Sequence, residues 1–197
     1  LPTVWSHIIT NGKFGTLTTE NMGGYTWNKN SKLNRITAWS NDQVTDTPSE
    51  IIYIKDKDTN KKWSVGYNPM HDENEYYAIY GFGYAKYIHT SSKIKQTVDI
   101  FVPKEDNVKI NLLTLENKNP QRKNLKLVYY IKPVLGEDEI KTNKYLYTNF
   151  NTASNTIFLR NVMNEKKEDS IFVTSSEKIK SYTGSKSSFL KNLGISS

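Results

Sequence analysis

The sequence predicts an all-β protein, one large antiparallel two-sheet sandwich with little helix. Three observations carry this. Tyrosine, isoleucine and threonine are abundant and alanine is scarce, which favours strands. About a dozen strand-like stretches recur every 8–12 residues or so, separated by Asn-, Gly-, Pro- or Lys/Glu-rich turns. No stretch holds a 3.6-residue hydrophobic period over a useful length. Connections this short allow antiparallel pairing only. So many strands exceed a comfortable single sheet and call for two stacked ones. At 197 residues the chain suffices for one such domain, residues 1–197.

The elements follow in order. Phe14–Thr19 is strand-like and is entered through the turn pair Asn11-Gly12. Tyr25–Trp27 is a brief strand leading into a long aperiodic segment. Ile51–Lys55, the polar turn Asp56–Asn60 and Lys62–Val65 make a hairpin, and Gly66–Asn74 is a second loop. Glu75–Tyr80 and Tyr84–Thr90 flank a Gly81-Phe82-Gly83 turn. Ile94, Val98, Ile100 and Val102 face one way and Lys95, Thr97 and Asp99 the other, up to Pro103. Val108–Asn117 has Ile110 and Leu112 on one face and Leu113 and Leu115 on the other, the pattern of a central strand buried on both sides. After a turn at Asn119–Arg122, Leu125–Ile131 alternates until a break at Pro133–Gly136. Glu137–Asn143 has room for one helical turn. Tyr145–Phe150, Thr156–Met163 and Ser170–Ser175 are three further strands, and from Ser181 the period is lost.

Composition excludes several functions. The net charge is +7, but the 27 basic residues are nearly all lysine and scattered among carboxylates. KDKDTNKK (55–62) and NEKKED (164–169) read as solvated hairpin ends, whereas nucleic-acid sites cluster Arg and Lys along one face. Cysteine is absent, which rules out disulfides and thiolate metal sites and accords with a cytoplasmic location. No apolar run approaches a membrane span and no signal segment opens the chain. Because the chain opens at Leu1, it is expected to be a fragment of a longer protein. The histidines His7, His71 and His89 lack the local spacing of metal ligands. His89 is expected on the surface at a strand end, and no G-x-S-x-G elbow appears.

Gly23–Glu50 stands apart. It holds two of the four tryptophans with Arg35 and a series of short polar side chains. A long aperiodic segment in a compact domain is usually functional or disordered, and its aromatics argue against disorder. A pyranose presents an apolar face of C–H groups and a rim of hydroxyls. Aromatic rings cover the face while Asn, Asp and Arg side chains bond the rim. Tyr25, Trp27, Arg35, Trp39, Asn41 and Asp42 supply that set within a short span. The alternative is that Trp27 and Trp39 pin the segment to the sheet while Arg35 bridges Asp42 or Asp46. Asp42, Asp46 and Glu50 recur every four residues, as a glycosidase pair could. The segment is not helical, however, and turn-forming bonds from Asp42 and Asp46 to their own backbone are the preferred reading.

These residues also resemble a known family. Gly24-Tyr25-Thr26-Trp27, Asn34-Arg35-Ile36-Thr37, Trp39-Ser40-Asn41-Asp42, Asp46, Pro48, Glu50 and Trp63-Ser64 look like the amino-terminal region of cellobiose phosphorylase relatives and the carboxy-terminal part of cyclic β-1,2-glucan synthases. Asn11–Gly15, Gly81–Tyr84, Phe101-Val102-Pro103, Ser181–Gly184 and Phe189-Leu190 agree in order. The Trp39–Asp42 variant is most similar to the β-1,2-glucan members. Ala38 stands where the family has proline, and Asn60-Lys61 where it has glycine.

The resemblance implies a galactose mutarotase-like supersandwich followed by an (α/α)6 barrel that carries the catalytic acid. It implies inverting phosphorolysis of a β-glucoside, with inorganic phosphate as co-substrate and no other cofactor. It further implies a homodimer whose sandwich shapes the substrate cleft. The expected partners are a β-glucan oligosaccharide, the protein's own C-terminal catalytic domain and a second copy, with no nucleic acid and no membrane contact. On this reading the six residues shape a cleft, and no catalytic residue lies in the chain. An independent carbohydrate-binding module and a purely structural dimerisation domain are the other readings.

Overall fold

The structure, a computed structural model, describes residues 3–163 and 170–191. In chain order the strands begin with β1 (Ser6–Thr10), β2 (Phe14–Thr19), β3 (Gly24–Asn28), β4 (Arg35–Thr37) and β5 (Glu50–Asp56). Next come β6 (Lys62–Ser64), β7 (Tyr76–Gly81), β8 (Tyr84–Ser91), β9 (Ile94–Phe101) and β10 (Ile110–Asn117). The last are β11 (Leu125–Ile131), β12 (Pro133–Gly136), β13 (Leu146–Asn151), β14 (Thr156–Asn161) and β15 (Ser170–Thr174). Two short α-helices, α1 (Glu139–Thr142) and α2 (Lys186–Lys191), and a 3-10 turn at Asn143–Tyr145 complete the elements among the described residues. The all-β antiparallel supersandwich expected from the sequence is present. Its ladders divide into four sheets, ordered β1-β2-β3-β4-β12, β10-β9-β8-β7, β11-β5-β6 and β13-β14-β15.

Alternation decides what is buried. In β8 and β9 every second residue faces inward, so Ala85, Tyr87, Ile94, Val98 and Ile100 meet Ile9 of β1, Ile54 of β5 and Trp63 of β6 in the main core. The indole N–H of Trp63 donates to Gln96 Oε1 at 2.9 Å, so this buried ring keeps its polar end satisfied. Tyr87 joins two sheets. Its hydroxyl donates to the Thr19 carbonyl at 2.6 Å and therefore accepts from the Thr18 hydroxyl at 2.7 Å. Burial pushes its phenol well above the ordinary value.

Several expectations change. β10 is an edge strand rather than a central one, and Leu112 is 55% exposed. Leu113 and Leu115 pack against the core as expected, but nothing covers the other face among the described residues. The aperiodic segment contains β4, which pairs with β3 through Trp27 and Arg35. The Pro133–Gly136 break is β12, paired with β4 at Pro133–Thr37 and Gly136–Arg35. β1 and α2 are elements that composition did not signal.

Asp56, read as part of a solvated hairpin end, is buried beside Lys123 at 2.9 Å. Residues 164–169, read the same way, lie outside the described residues. His89 is 2% exposed, because it sits on the inward register of β8. It stacks on Tyr76 with centroids 3.7 Å apart, and its Nδ1 lies 3.0 Å from the Glu75 carbonyl. Its Nε2 lies 3.2 Å from Asp72 Oδ1, and Ser91 donates to the same carboxylate at 2.6 Å.

Candidate functional site

β3 places Tyr25 and Trp27 two residues apart on the outward face of the first sheet. Its register sets Gly15 of β2 beside Trp27, and a methyl group at Gly15 would stand 2.5 Å from Trp27 Cζ2. The indole therefore lies across the glycine, where any side chain would displace it. Trp39 stacks on Tyr25 with centroids 4.7 Å apart and planes 17° from parallel. The Arg35 guanidinium lies 5.4 Å from the Tyr25 ring centre and 5.7 Å from that of Trp39. Such contacts contribute about 0.5–1 kcal/mol each where solvent reaches them. Arg35 also donates to the carbonyls of Ser31, at 3.3 Å, and Glu137, at 3.4 Å. Carbonyls, not Asp42 or Asp46, are thus its hydrogen-bond acceptors, which corrects the bridging expectation.

Tyr25, Trp27, Arg35 and Trp39 therefore form one cluster. Tyr25 is 7% exposed, whereas Trp27, Arg35 and Trp39 are half-buried. Asn41 and Asp42 lie in the exposed turn that follows, with Asn41 in the left-handed region at φ 51°. The Asp42 carboxylate accepts from the Thr45 hydroxyl at 2.7 Å and the Val44 N–H at 2.9 Å. The Thr45 hydroxyl, then those backbone N–H groups, hold its carboxyl below the usual range. Asp42 is thus the turn former expected of it.

Asp46 is not. Its carboxylate is buried and accepts from Thr19 Oγ1 at 2.5 Å and Asn21 Nδ2 at 3.2 Å, tying the segment to the β2–β3 connection. Gly23 lies against this carboxylate, so closely that a methyl group there would collide with it.

On the opposite face of β3 lies a polar cluster that spacing did not reveal. Glu50 accepts from Lys109, from the Tyr129 hydroxyl and from Thr26 Oγ1, the last at 3.1 Å. Asn111 donates to the Tyr129 hydroxyl at 3.0 Å, completing a chain across β3, β5, β10 and β11. Burial pushes the Glu50 carboxyl up, but the Lys109 ammonium and these donors outweigh it and hold the carboxyl below its ordinary value. Burial, then the Glu50 charge, drives the Tyr129 phenol well above its own. The adjoining cavity is about 20 Å³, enough for one water and no sugar ring. This cluster locks strands together. Its sequence signal was Glu50 at the close of the family-like motif, masked by the spacing shared with Asp42 and Asp46.

The fold and the ordered motifs define a β-supersandwich from a carbohydrate-active enzyme family. The chain belongs to the glycosyl hydrolase 94 supersandwich-domain family, whose model matches residues 1–194. It is 27% identical over 135 residues to an N,N'-diacetylchitobiose phosphorylase of Vibrio furnissii, covering 67% of this chain and 17% of that protein. It is 23% identical over 204 residues to the cyclic beta-(1,2)-glucan synthase NdvB of Rhizobium meliloti (strain 1021), covering 98% of this chain and 7% of that one. A solabiose phosphorylase of Paenibacillus borealis is 26% identical over 151 residues, covering 74% of this chain and 20% of its own length. The chain thus spans a fifth or less of each. Among the described residues no helix is long and apolar enough to cross a membrane.

Proposed function

We propose that this chain is a non-catalytic carbohydrate-binding and dimerisation domain of an inverting β-glucan phosphorylase or a cyclic-glucan-synthase-like glycosyltransferase. The Trp27–Arg35–Trp39 cluster is the observation that carries the reading, since it joins aromatic surface to a cation on one outward face. Asn41 and Asp42 extend it with groups suited to sugar hydroxyls. The cluster forms one wall of a cleft. A catalytic domain of the same cytoplasmic polypeptide supplies the acid and binds inorganic phosphate. Its substrate is a β-glucan oligosaccharide.

Titration of the chain with β-1,2-gluco-oligosaccharides, followed by tryptophan fluorescence, tests this. Saturable binding abolished by Trp27→Ala or Trp39→Ala is the expected result. A flat titration at millimolar sugar would count against sugar contact by the chain alone. Release of glucosyl phosphate by the chain itself would overturn its non-catalytic status.

The stacking of Trp39 on Tyr25 favours a second reading, in which the cluster only fastens the segment to the sheet. On that reading Trp39→Ala loosens the segment and no sugar perturbs the fluorescence.

A further inference from the structure

Asn11-Gly12 is the one Asn-Gly pair in the sequence. It forms the turn between β1 and β2, with Gly12 in the left-handed region at φ 90°. Asn11 Oδ1 accepts from the backbone N–H of Lys13 at 3.1 Å and of Phe14 at 2.8 Å. Its Nδ2 donates to the Pro103 carbonyl at 3.1 Å and to the Asp106 carbonyl at 3.0 Å. Two donors face Oδ1 and two acceptors face Nδ2, so the full bonding pattern of a carboxamide is used and a carboxylate does not fit.

These bonds join two stretches far apart in the chain, Asn11–Gly15 and Phe101-Val102-Pro103. Residues 102–109, between β9 and β10, form no strand or helix, and they end on Lys109, whose ammonium binds Glu50. Asn11 thus fastens the connection that delivers one partner of the buried ion pair.

We propose that Asn11 is a site of spontaneous deamidation, held in check by the fold, whose product releases residues 103–106. Glycine leaves its backbone nitrogen unhindered, because it carries no side chain. That nitrogen attacks Asn11 Cγ and forms a new C–N bond. The Cγ–Nδ2 bond breaks, the amide proton of Gly12 passes to Nδ2, and ammonia departs from a cyclic imide. Water then adds to either imide carbonyl and opens the ring, giving aspartate or the isomer whose backbone runs through the side-chain carbon. No electrons change hands, and water is the only co-reactant.

In the folded chain the Gly12 N–H is engaged by Thr10 Oγ1 at 3.0 Å, and ring closure must turn the carboxamide away from its four partners. Modification therefore proceeds from the locally opened turn. The change is one-way. An aspartate keeps acceptors toward Lys13 and Phe14 but sets oxygen against the Pro103 and Asp106 carbonyls, and it lowers the net charge of +7 by one. This inference stands apart from sugar binding and holds whatever the aromatic cluster contacts.

Incubation at mildly alkaline pH, followed by peptide mapping in a mass spectrometer, tests the site. In urea, Asn11 is expected to convert ahead of every other asparagine. In the folded chain the same conversion is at least about tenfold slower, because it waits on opening of the turn. Asn11→Asp reproduces the product, and trypsin should cut it after Lys104 at least about tenfold faster than the parent, with no matching rise after Lys57 in the β5–β6 turn. The deamidated fraction of the aged chain, separated by its changed charge, is expected to be cut at the same faster rate, which keeps the test independent of how well the variant folds. Equal conversion rates in folded and unfolded chain overturn the hold exerted by the fold. Earlier conversion of another asparagine in urea overturns Asn11 as the site. Unchanged cleavage after Lys104 in the deamidated chain overturns the release of residues 103–106.

Discussion

Tyr25 and Trp27 on one side of β3 and Thr26 on the other belong to two different regions of the molecule. Outward, aromatic rings and Arg35 make a cluster that solvent reaches. Inward, Thr26 joins Glu50, Lys109 and Tyr129 in a polar lock almost closed to solvent. The outward set is held by stacking of about 0.5–1.5 kcal/mol per aromatic pair. The inward set contains an ion pair whose two side chains are each 13% exposed, where breaking one partner is far costlier than the pair's net value. Glu50 and Asp46 therefore tie the segment to the sheet from the inward side, independently of the aromatic face.

Four substitutions probe that contrast, from the largest effect to the smallest. Glu50→Ala strands the Lys109 ammonium in the interior and costs roughly 3–5 kcal/mol, read from urea denaturation. Asp46→Ala leaves Thr19 and Asn21 without their acceptor and costs about 1–3 kcal/mol, with faster proteolysis between residues 38 and 49 as the local readout. An Asp46→Ala protein as stable as the parent would show that the aromatics, not the carboxylates, hold the segment. Trp39→Ala removes the stack on Tyr25 for about 1 kcal/mol, and on the proposed function its main effect is the loss of the sugar-induced fluorescence change. Asp42→Ala has the smallest effect, because the turn it caps is fully exposed, and its melting curve should overlay that of the parent.

The lock also sets a pH dependence. The folded Glu50 carboxyl lies below its unfolded value, so its contribution is complete above about pH 5 and is lost as pH falls through the folded value. Burial is the largest effect on Asp56 and Asp72 and raises both. Hydrogen bonds from Lys123, the Asp58 N–H and Thr59 in one case, and from Ser91 and Asn74 in the other, together with nearby positive charge, outweigh it, so both contribute with the same sign. Acid unfolding of Glu50→Gln should therefore keep a slope between about pH 5 and 3, but a shallower one than the parent. An unchanged slope would mean that Glu50 is not ionised in the lock.

The family motif and the alternation of residues 84–101 are local signals, so the sandwich and the supersandwich family were legible before any coordinates. β4 and β12 were not, because strands of three and four residues, one of them opening on Pro133, carry no period of their own and exist only through their pairing. The candidate cluster was half legible. Residue chemistry marked out Tyr25, Trp27, Arg35 and Trp39, and the structure brings those four together while leaving Asn41 and Asp42 in the turn.

His89 shows the limit from another side. At the end of its strand it looks solvated, and only the arrival of Tyr76 and Asp72 buries it. The sequence by itself determined the longer alternating strands, such as β8 and β9, since alternation and turn chemistry are properties of neighbouring residues. The tertiary structure alone decided that Glu50 meets Lys109 and Tyr129, and that β10 is an edge. Those outcomes depend on groups up to 79 positions apart, and only the sheet order brings them together.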